Sequence, residues 1–203
     1  MCCCVHVTFS TVAPPQDRES AARREVFPTA ESKSHRVATL ADVASLRSLV
    51  EAAISELQKP FLTAEQISAS RAIMGLDTQL IADGTYFVIE VNGNMAGCGG
   101  WSRRATLYGS DHTHGRNSRL LDPAAEPARI RAMYTHPDYT RRGLGRLILQ
   151  LCEDAARSEG FTSVELMSTM AGVPLYRACG YDGVESVTDN SVPLLRMTKR
   201  LTQ

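Results

Sequence analysis

The 203-residue chain has no excess of charge of either sign, because 22 acidic side chains balance 22 lysines and arginines. This balance argues against a nucleic-acid-binding protein held by general electrostatic attraction. The sequence also lacks any apolar run approaching the roughly 20 residues of a membrane-spanning helix. With 43% hydrophobic residues, the composition predicts one soluble globular domain with a sizeable core, no membrane span and no nucleic-acid partner.

Cysteine patterns typical of metal sites or disulfide frameworks are missing. No Cys-x-x-Cys pair occurs, and Cys98, Cys152 and Cys179 lie far apart among apolar or small residues. His112 and His114 have no further ligands near them in the sequence, so we interpret them as loop residues. We therefore expect no metal, and free core thiols in a reducing, cytoplasmic compartment.

Two familiar phosphate-binding motifs are absent as well. No Gly-x-x-x-x-Gly-Lys-Ser/Thr loop occurs, and Gly143-x-Gly145 lacks the third glycine of a dinucleotide fingerprint, since Ile148 stands at that position. The surrounding pattern is nevertheless that of a strand, a turn and a helix start. Residues 128–134 predict a strand that ends before Pro137, and apolar residues at helical spacing follow the glycines.

This helix start has the composition of an anion site. The first turn of a helix leaves backbone N–H groups without partners, and the helix dipole adds positive charge there. Gly143 and Gly145 have no Cβ, so a ligand can approach the main chain closely. Arg141, Arg142 and Arg146 add three cations. The segment predicts a phosphate or pyrophosphate site, and a helix start with solvated arginines is the alternative interpretation.

Two segments resemble motifs of the GNAT superfamily of N-acetyltransferases. Thr140-Arg141-Arg142-Gly143-Leu144-Gly145, which follows Thr135-His136-Pro137, is similar to motif A of that family, Arg/Gln-x-x-Gly-x-Gly/Ala after a strand. Thr140 departs from the usual Arg or Gln. Leu175-Tyr176-Arg177-Ala178-Cys179-Gly180-Tyr181 is similar to the family's Phe/Leu-Tyr-x-x-x-Gly-Phe/Tyr. The resemblance extends, with weaker motifs, from about residue 35 to residue 201.

The resemblance implies a fold and a co-substrate. The fold is α/β, with a mixed, mostly antiparallel sheet of six to seven strands, helices on both faces and a splayed parallel pair of central strands. The co-substrate is acetyl-CoA, without a metal. The implied cofactor-binding residues are Met133, Tyr134 and Thr135 on the strand and Arg141, Arg142, Gly143, Leu144, Gly145 and Arg146 at the helix start.

The resemblance also implies direct attack of a neutral amine on the acetyl thioester. Tyr176 would be the general acid toward the CoA thiolate, and a main-chain N–H near Tyr134 would polarise the carbonyl. The glutamate that several relatives use as a base aligns with Arg129, so it is not carried over. The base stays open among His136, Asp122, Glu126, Glu165 and ordered water. An acceptor of low pKa, such as an arylamine or hydrazine, would need no strong base.

N-acetylation of a primary amine on a small molecule is the leading interpretation of the function. A protein lysine or N-terminal acetyltransferase would use the same core, and a regulatory module would bind acyl-CoA without turnover. The presence of Tyr176 at its motif position argues against the regulatory module. The oligomeric state stays open, with a homodimer as one option.

The remaining sequence predicts how this core is built. Residues 1–33 mix prolines and charges with few periodic apolar positions, which predicts a flexible N-terminal tail before a single domain at residues 34–203. A strand is expected near residues 35–38, followed by two helices that Thr39 and Thr63 would cap. In the resembled fold these helices and their connection border the acceptor site.

Further along, residues 86–101 predict a hairpin that turns at Asn92-Gly93-Asn94. Three glycines in its second arm predict a bulge or the close approach of another backbone. Trp101 either lines an acceptor pocket or lies in the core. The long polar connection at residues 102–127 would cover the acceptor side of the cleft. Three later segments predict a strand, a short helix and the last strand: residues 163–168, 172–178 and 192–198.

Overall fold

A mixed sheet organises the computed structural model, which describes residues 31–202. Within that range the sheet has seven strands: β1 (Lys33–Val37), β2 (Tyr86–Val91), β3 (Asn94–Ser102), β4 (Ala128–Thr135), β5 (Ser163–Thr169), β6 (Asp182–Asp189) and β7 (Val192–Arg200). Their order is β1-β2-β3-β4-β5-β7-β6, and every neighbouring pair is antiparallel except β4 and β5. The predicted mixed α/β sheet is confirmed.

The helices occupy both faces of this sheet. They are α1 (Val43–Leu57), α2 (Ala64–Ser70), α3 (Thr78–Ala82), α4 (Leu144–Ser158) and α5 (Val173–Ala178). Short 3₁₀ turns precede α1 and α4, at Leu40–Asp42 and Pro137–Tyr139. None of the helices in the described part of the chain is long and apolar enough to cross a membrane. All but three residues of the predicted tail, 1–33, lie outside the described residues.

The predicted cap at Thr63 is visible in the hydrogen bonds of α2, whereas the prediction that Thr39 caps α1 is wrong, because the N-cap of α1 is Asp42. The Thr63 side chain accepts a hydrogen bond from the Gln66 N–H at 3.2 Å, and the Thr63 N–H donates to the Gln66 side chain at 3.0 Å. Thr39 precedes a 3₁₀ turn, and its N–H donates to the Asp42 carboxylate at 2.8 Å. Because that turn comes first, α1 starts at Val43.

The parallel strands β4 and β5 pair only at their N-terminal ends. Their register contains two pairs, Ala128 with Val164 and Arg129 with Glu165. Beyond Arg129 the strands diverge, and β5 continues in partnership with β7 alone. The predicted splayed pair is therefore confirmed, and the gap between its strands is called the notch below.

A bulge in β4 shapes one wall of the notch. The register between β3 and β4 shifts between Cys98 and Gly100, and Ala132 takes a positive φ of 49°. The hydroxyl of fully buried Tyr86 donates a hydrogen bond to the Ala132 carbonyl oxygen at 2.8 Å. The extra residue turns the next stretch of β4 and changes which of its groups face the notch.

Gly99 on β3 confirms the expected close approach. A Cβ at this position would lie 2.6 Å from Ile148 Cγ2 and 2.8 Å from Met133 Cγ, closer than side chains tolerate. The glycine therefore lets α4 and the bulged part of β4 pack directly against β3.

The two larger of three apolar clusters in the described residues lie on the faces of the sheet, one under α4 and the other under α1 and α3. Trp101 belongs to the first cluster, is 3% exposed and packs edge-on against Phe161 with ring centroids 6.0 Å apart. The core interpretation of Trp101 is thus the correct one. Cys98 and Cys152 are free, buried thiols in the two clusters.

Candidate active site

A cavity of about 250 Å³ lies at the notch. Residues 131–135 of β4 form one wall, and Met167 and Thr169 at the end of β5 form the opposite one. The C-terminal end of α1, the starts of α4 and α5, and residues 107–109 of the long connection complete the lining. We call this the notch cavity. The contribution of residues 107–109 agrees with the expected position of the connection over the cleft.

The β4 wall offers backbone groups to an extended ligand. Met133, Tyr134 and Thr135 all line the notch cavity, as the sequence predicted for residues that would hold the co-substrate. This part of β4 pairs with β3 on one side, and no described strand pairs with it on the other. An unpaired strand edge presents N–H and C=O groups at the spacing that a peptide-like ligand can match.

The start of α4 presents a row of free backbone donors. Gly143 caps the helix with a φ of 80°, and Arg141 also has a positive φ, of 62°. The backbone N–H groups of residues 141–146 donate hydrogen bonds to no described part of the chain, and the first helical bond is donated by Leu147 to Gly143 at 3.1 Å. Together with the dipole of a 15-residue helix, these donors form an anion-binding end.

The two glycines of this segment are needed for different reasons. A Cβ on Gly143 would meet nothing within 4 Å, so this glycine is required by its left-handed backbone. A Cβ on Gly145 would lie 2.7 Å from Leu175 Cδ2, so that glycine allows α5 to pack against the start of α4. Gly145 and Leu175 both line the notch cavity, which places the anion-binding end next to it.

The three arginines differ in their surroundings. The Arg142 guanidinium pairs with the Glu31 carboxylate, donates to the Asp138 carbonyl oxygen at 3.0 Å and lies over the Tyr139 ring. Arg141 and Arg146 are exposed and form no ion pair with any residue from 31 to 202. Of the predicted cofactor-binding residues, Arg141, Arg142, Gly143, Leu144 and Arg146 do not line the notch cavity itself.

Tyr176 places its hydroxyl at the β4 wall. Its Oη lies 3.8 Å from Met133 Sδ, which is its hydrogen-bond contact among the described residues. The ring packs edge-on against Tyr181 and would contact a Cβ at Gly172 at 2.7 Å, so the glycine at that position makes room for it. Burial raises the pKa of Tyr176 well above its usual value, which keeps the phenol protonated.

The candidate bases lie elsewhere. Glu165 is 4% exposed and is paired with both Arg129 and Arg196. The Arg119 guanidinium lowers the pKa of Glu126 to about 2 by hydrogen bonding to its carboxylate. Asp122 accepts a hydrogen bond from the Ala124 N–H at 3.0 Å, and His136 accepts one from the Asp138 N–H at 3.3 Å. Within residues 31–202, no Asp, Glu or His lines the notch cavity.

A buried ion-pair cluster next to the cavity was not anticipated. Asp77 is fully buried, with its carboxylate 2.7 Å from Arg131 and 2.6 Å from Arg116. Arg131 also donates to the Gly109 carbonyl oxygen at 3.0 Å, and Arg116 donates to that of Ser110 at 2.7 Å. The cluster fixes the long connection to the sheet. Asp77 before Thr78 resembles an ordinary helix cap in the sequence, so its partners were not predictable.

Metal-ligand geometry does not occur in the described part of the chain. Residues 31–202 contain no group of three or more His, Cys, Asp or Glu side chains placed to hold an ion. His112 Nε2 lies 2.6 Å from the Arg71 carbonyl oxygen, which makes it a contact between the long connection and the segment after α2.

The family is identified by sequence comparison. The sequence model of the acetyltransferase (GNAT) family matches residues 48–181, which is more than half of the chain. The chain therefore belongs to the GNAT acetyltransferase family, and it is an acyltransferase. The suspected resemblance is thus confirmed. No curated protein sequence matches the chain significantly.

Solved structures share the fold at low sequence identity. The GCN5-related N-acetyltransferase of Rhodopseudomonas palustris is 19% identical, with a TM-score of 0.61 over 84% of this chain and 96% of that one. The PaiA N-acetyltransferase of Thermoplasma acidophilum, solved with coenzyme A, is 13% identical. Its TM-score is 0.59, over 83% of this chain and 99% of the PaiA chain. The ribosomal-protein-S18-alanine N-acetyltransferase of Escherichia coli is 17% identical. Its TM-score is 0.52, over 85% of this chain and 96% of the E. coli chain.

Proposed function

We propose that the protein transfers the acetyl group of acetyl-CoA to a neutral primary amine on a small molecule. The proposed acceptor class is inferred from the lining of the notch cavity, which contains no Asp, Glu or His within the described residues. Free thiols at Cys98, Cys152 and Cys179 agree with a reducing compartment such as the cytoplasm.

The co-substrate fits the two sets of backbone donors. The pyrophosphate is assigned to the free N–H groups of residues 141–146, with added positive charge from Arg141 and Arg146. Arg142 contributes its N–H, because its guanidinium is paired with Glu31. The amide-bearing arm of CoA is assigned to the open edge of β4 at Met133, Tyr134 and Thr135. The coenzyme A bound by the PaiA enzyme supports this choice of ligand.

Tyr176 is assigned as the proton donor of the reaction. The acetyl thioester supplies an activated carbonyl carbon, and a main-chain N–H near Tyr134 polarises its oxygen. The acceptor nitrogen forms a bond to that carbon and the carbon–sulfur bond breaks. The Tyr176 hydroxyl donates its proton to the departing sulfur, while the surplus proton of the nitrogen leaves to water and Tyr176 is reprotonated. The raised pKa of Tyr176 keeps the proton donor protonated at neutral pH.

The acceptor class follows from the charge of the lining. Arg131 is the charged residue of the described lining, and Asp77 neutralises it. An alkylammonium, with an ordinary pKa near 10.4, would find among the described lining residues neither a carboxylate to pair with nor a base to deprotonate it. Arylamines and arylhydrazines are neutral at pH 7 and avoid both problems. We therefore propose an acceptor of that kind.

The test is release of CoA thiol from acetyl-CoA against separate pools of arylamines and hydrazines, alkylamines and polyamines, and peptides with free lysine or N-terminal amines. We expect release with the first pool and much less with the others. Release with peptides alone would identify a protein acetyltransferase, like the ribosomal-protein-S18-alanine N-acetyltransferase of E. coli. No thiol release with any pool, with acetyl-CoA binding intact by calorimetry, would overturn the proposed acceptor class.

A further inference from the structure

Two side chains of the described lining have a buried polar atom without a hydrogen-bond partner: Arg131 at Nε, a donor, and Gln58 at its amide oxygen, an acceptor. Gln58 is 6% exposed, lines the cavity and follows the last residue of α1. Its amide nitrogen lies 3.5 Å from Thr169 Oγ1, at the limit of a hydrogen bond. Its amide oxygen accepts no hydrogen bond from any residue in the described range.

Hydrogen bonds of the main chain fix the backbone at Gln58. The Gln58 carbonyl oxygen accepts hydrogen bonds from the N–H groups of Phe61 and Leu62, at 2.9 Å and 3.0 Å. Both bonds hold the end of α1, and the neighbouring Leu57 lines the same cavity. The helix end therefore fixes the point from which the buried Gln58 side chain reaches the cavity, and the side-chain torsions set where the amide points.

An unpartnered buried amide destabilises a protein unless a ligand or water completes its hydrogen bonds. Most of the surrounding lining is apolar, with Ile73, Met74 and Met167 among its members. The cation of the lining, Arg131, is held by Asp77 and the Gly109 carbonyl oxygen. The amide oxygen of Gln58 is thus an acceptor in the cavity that is left for a donor brought by a substrate.

We propose that Gln58 determines acceptor specificity by accepting a hydrogen bond from an N–H group of the neutral acceptor. This inference rests on the proposed function, in which the notch cavity receives the acceptor at Gln58 as well as the amide-bearing arm of CoA at β4. An amide oxygen carries no charge, so it receives a neutral N–H without attracting an ammonium. Gln58 would in this way favour acceptors with an N–H over apolar molecules of the same shape.

The experiment compares Gln58→Met, Gln58→Glu and the matched control Gln150→Met, at an exposed position of α4. The wild-type protein is first assayed with the arylamine pool. In Gln58→Met we expect the KM for the acceptor to rise about tenfold, the effect of one neutral hydrogen bond, while the KM for acetyl-CoA stays unchanged. We also expect the Tm to stay the same or rise, because a buried unpartnered group is removed.

Gln58→Glu should shift selectivity toward alkylamines. A carboxylate at this position can pair with an ammonium, so we expect kcat/KM for alkylamines relative to arylamines to rise about tenfold. Gln150→Met should change neither selectivity nor KM.

The outcomes separate this inference from the proposed function. If the wild-type protein releases no CoA thiol with any amine pool, the proposed function is overturned, and the role of Gln58 with it. Wild-type turnover with an unchanged acceptor KM in Gln58→Met would overturn the role of Gln58 alone. A fall in Tm together with an equal rise in both KM values would show that Gln58 only supports the fold.

Discussion

Replacing Tyr176 by phenylalanine tests the assignment of the proton donor. The substitution removes one oxygen, whose described contact is the weak acceptor Met133 Sδ at 3.8 Å. The ring keeps its packing against Tyr181 and the space above Gly172. Since no strong native hydrogen bond is lost, we expect the free energy of unfolding to change by less than about 0.5 kcal/mol.

The effect on the rate should be far larger. Loss of a positioned general acid typically costs roughly 10²–10⁴ in rate, which equals about 2.7–5.4 kcal/mol of transition-state stabilisation. We expect kcat to fall by such a factor in the thiol-release assay, with unchanged acetyl-CoA affinity by calorimetry. An equal loss of affinity and rate would refute the assignment, because the hydroxyl would then act in binding. An unchanged rate would refute it directly.

Two further substitutions test the anion-binding end and the buried cluster. Gly143→Asp places a negative charge at the free N–H groups, so calorimetry should detect no CoA binding, whereas Gly143→Ala, with similar backbone strain, should retain part of it. Retained binding in Gly143→Asp would mean that the pyrophosphate lies elsewhere. Asp77→Asn leaves Arg131 and Arg116 without their carboxylate, so thermal unfolding should report a loss of about 3–5 kcal/mol. A loss below about 1 kcal/mol would contradict the assigned role of the cluster.

Local sequence signals predicted most of the helices and strands. The capping box at Thr63 and Gln66 depends on residues three apart, and it forms as expected. The hairpin turn at Asn92-Gly93-Asn94 is equally local, and Asn92 and Gly93 both take the positive φ that it requires. The start of α4 was predictable because two glycines and a helical apolar spacing coincide there.

Two elements were missed because their local signals are weak. The helix α3 has only five residues, too few to show a periodic pattern. The strand β6 is an edge strand whose residues are mostly exposed, so its polar sequence does not alternate clearly. Its place in the sheet depends on pairing with β7, which lies across a turn at Asn190 and Ser191.

The chemistry of the site was only partly predictable. Tyr176, Gly143 and Gly145 were found through short motifs, which are local. Asp77 and Arg131 are 54 positions apart and meet only in the folded chain. Gln58 has no motif, and its significance depends on the absence of a partner in three dimensions. The charge of a cavity is likewise a property of the fold, so the lack of a carboxylate among the described lining residues of the notch could not be predicted.

The most direct test of the central claim is the pH dependence of kcat/KM with an arylamine acceptor, compared with an alkylamine. Because residues 31–202 place no Asp, Glu or His in the lining and the arylamine is already neutral, its profile should be flat between about pH 6 and pH 9. The alkylamine should rise about tenfold per pH unit toward its own pKa. An equally steep rise with both acceptors would mean that a protein group removes the proton, and it would contradict the account.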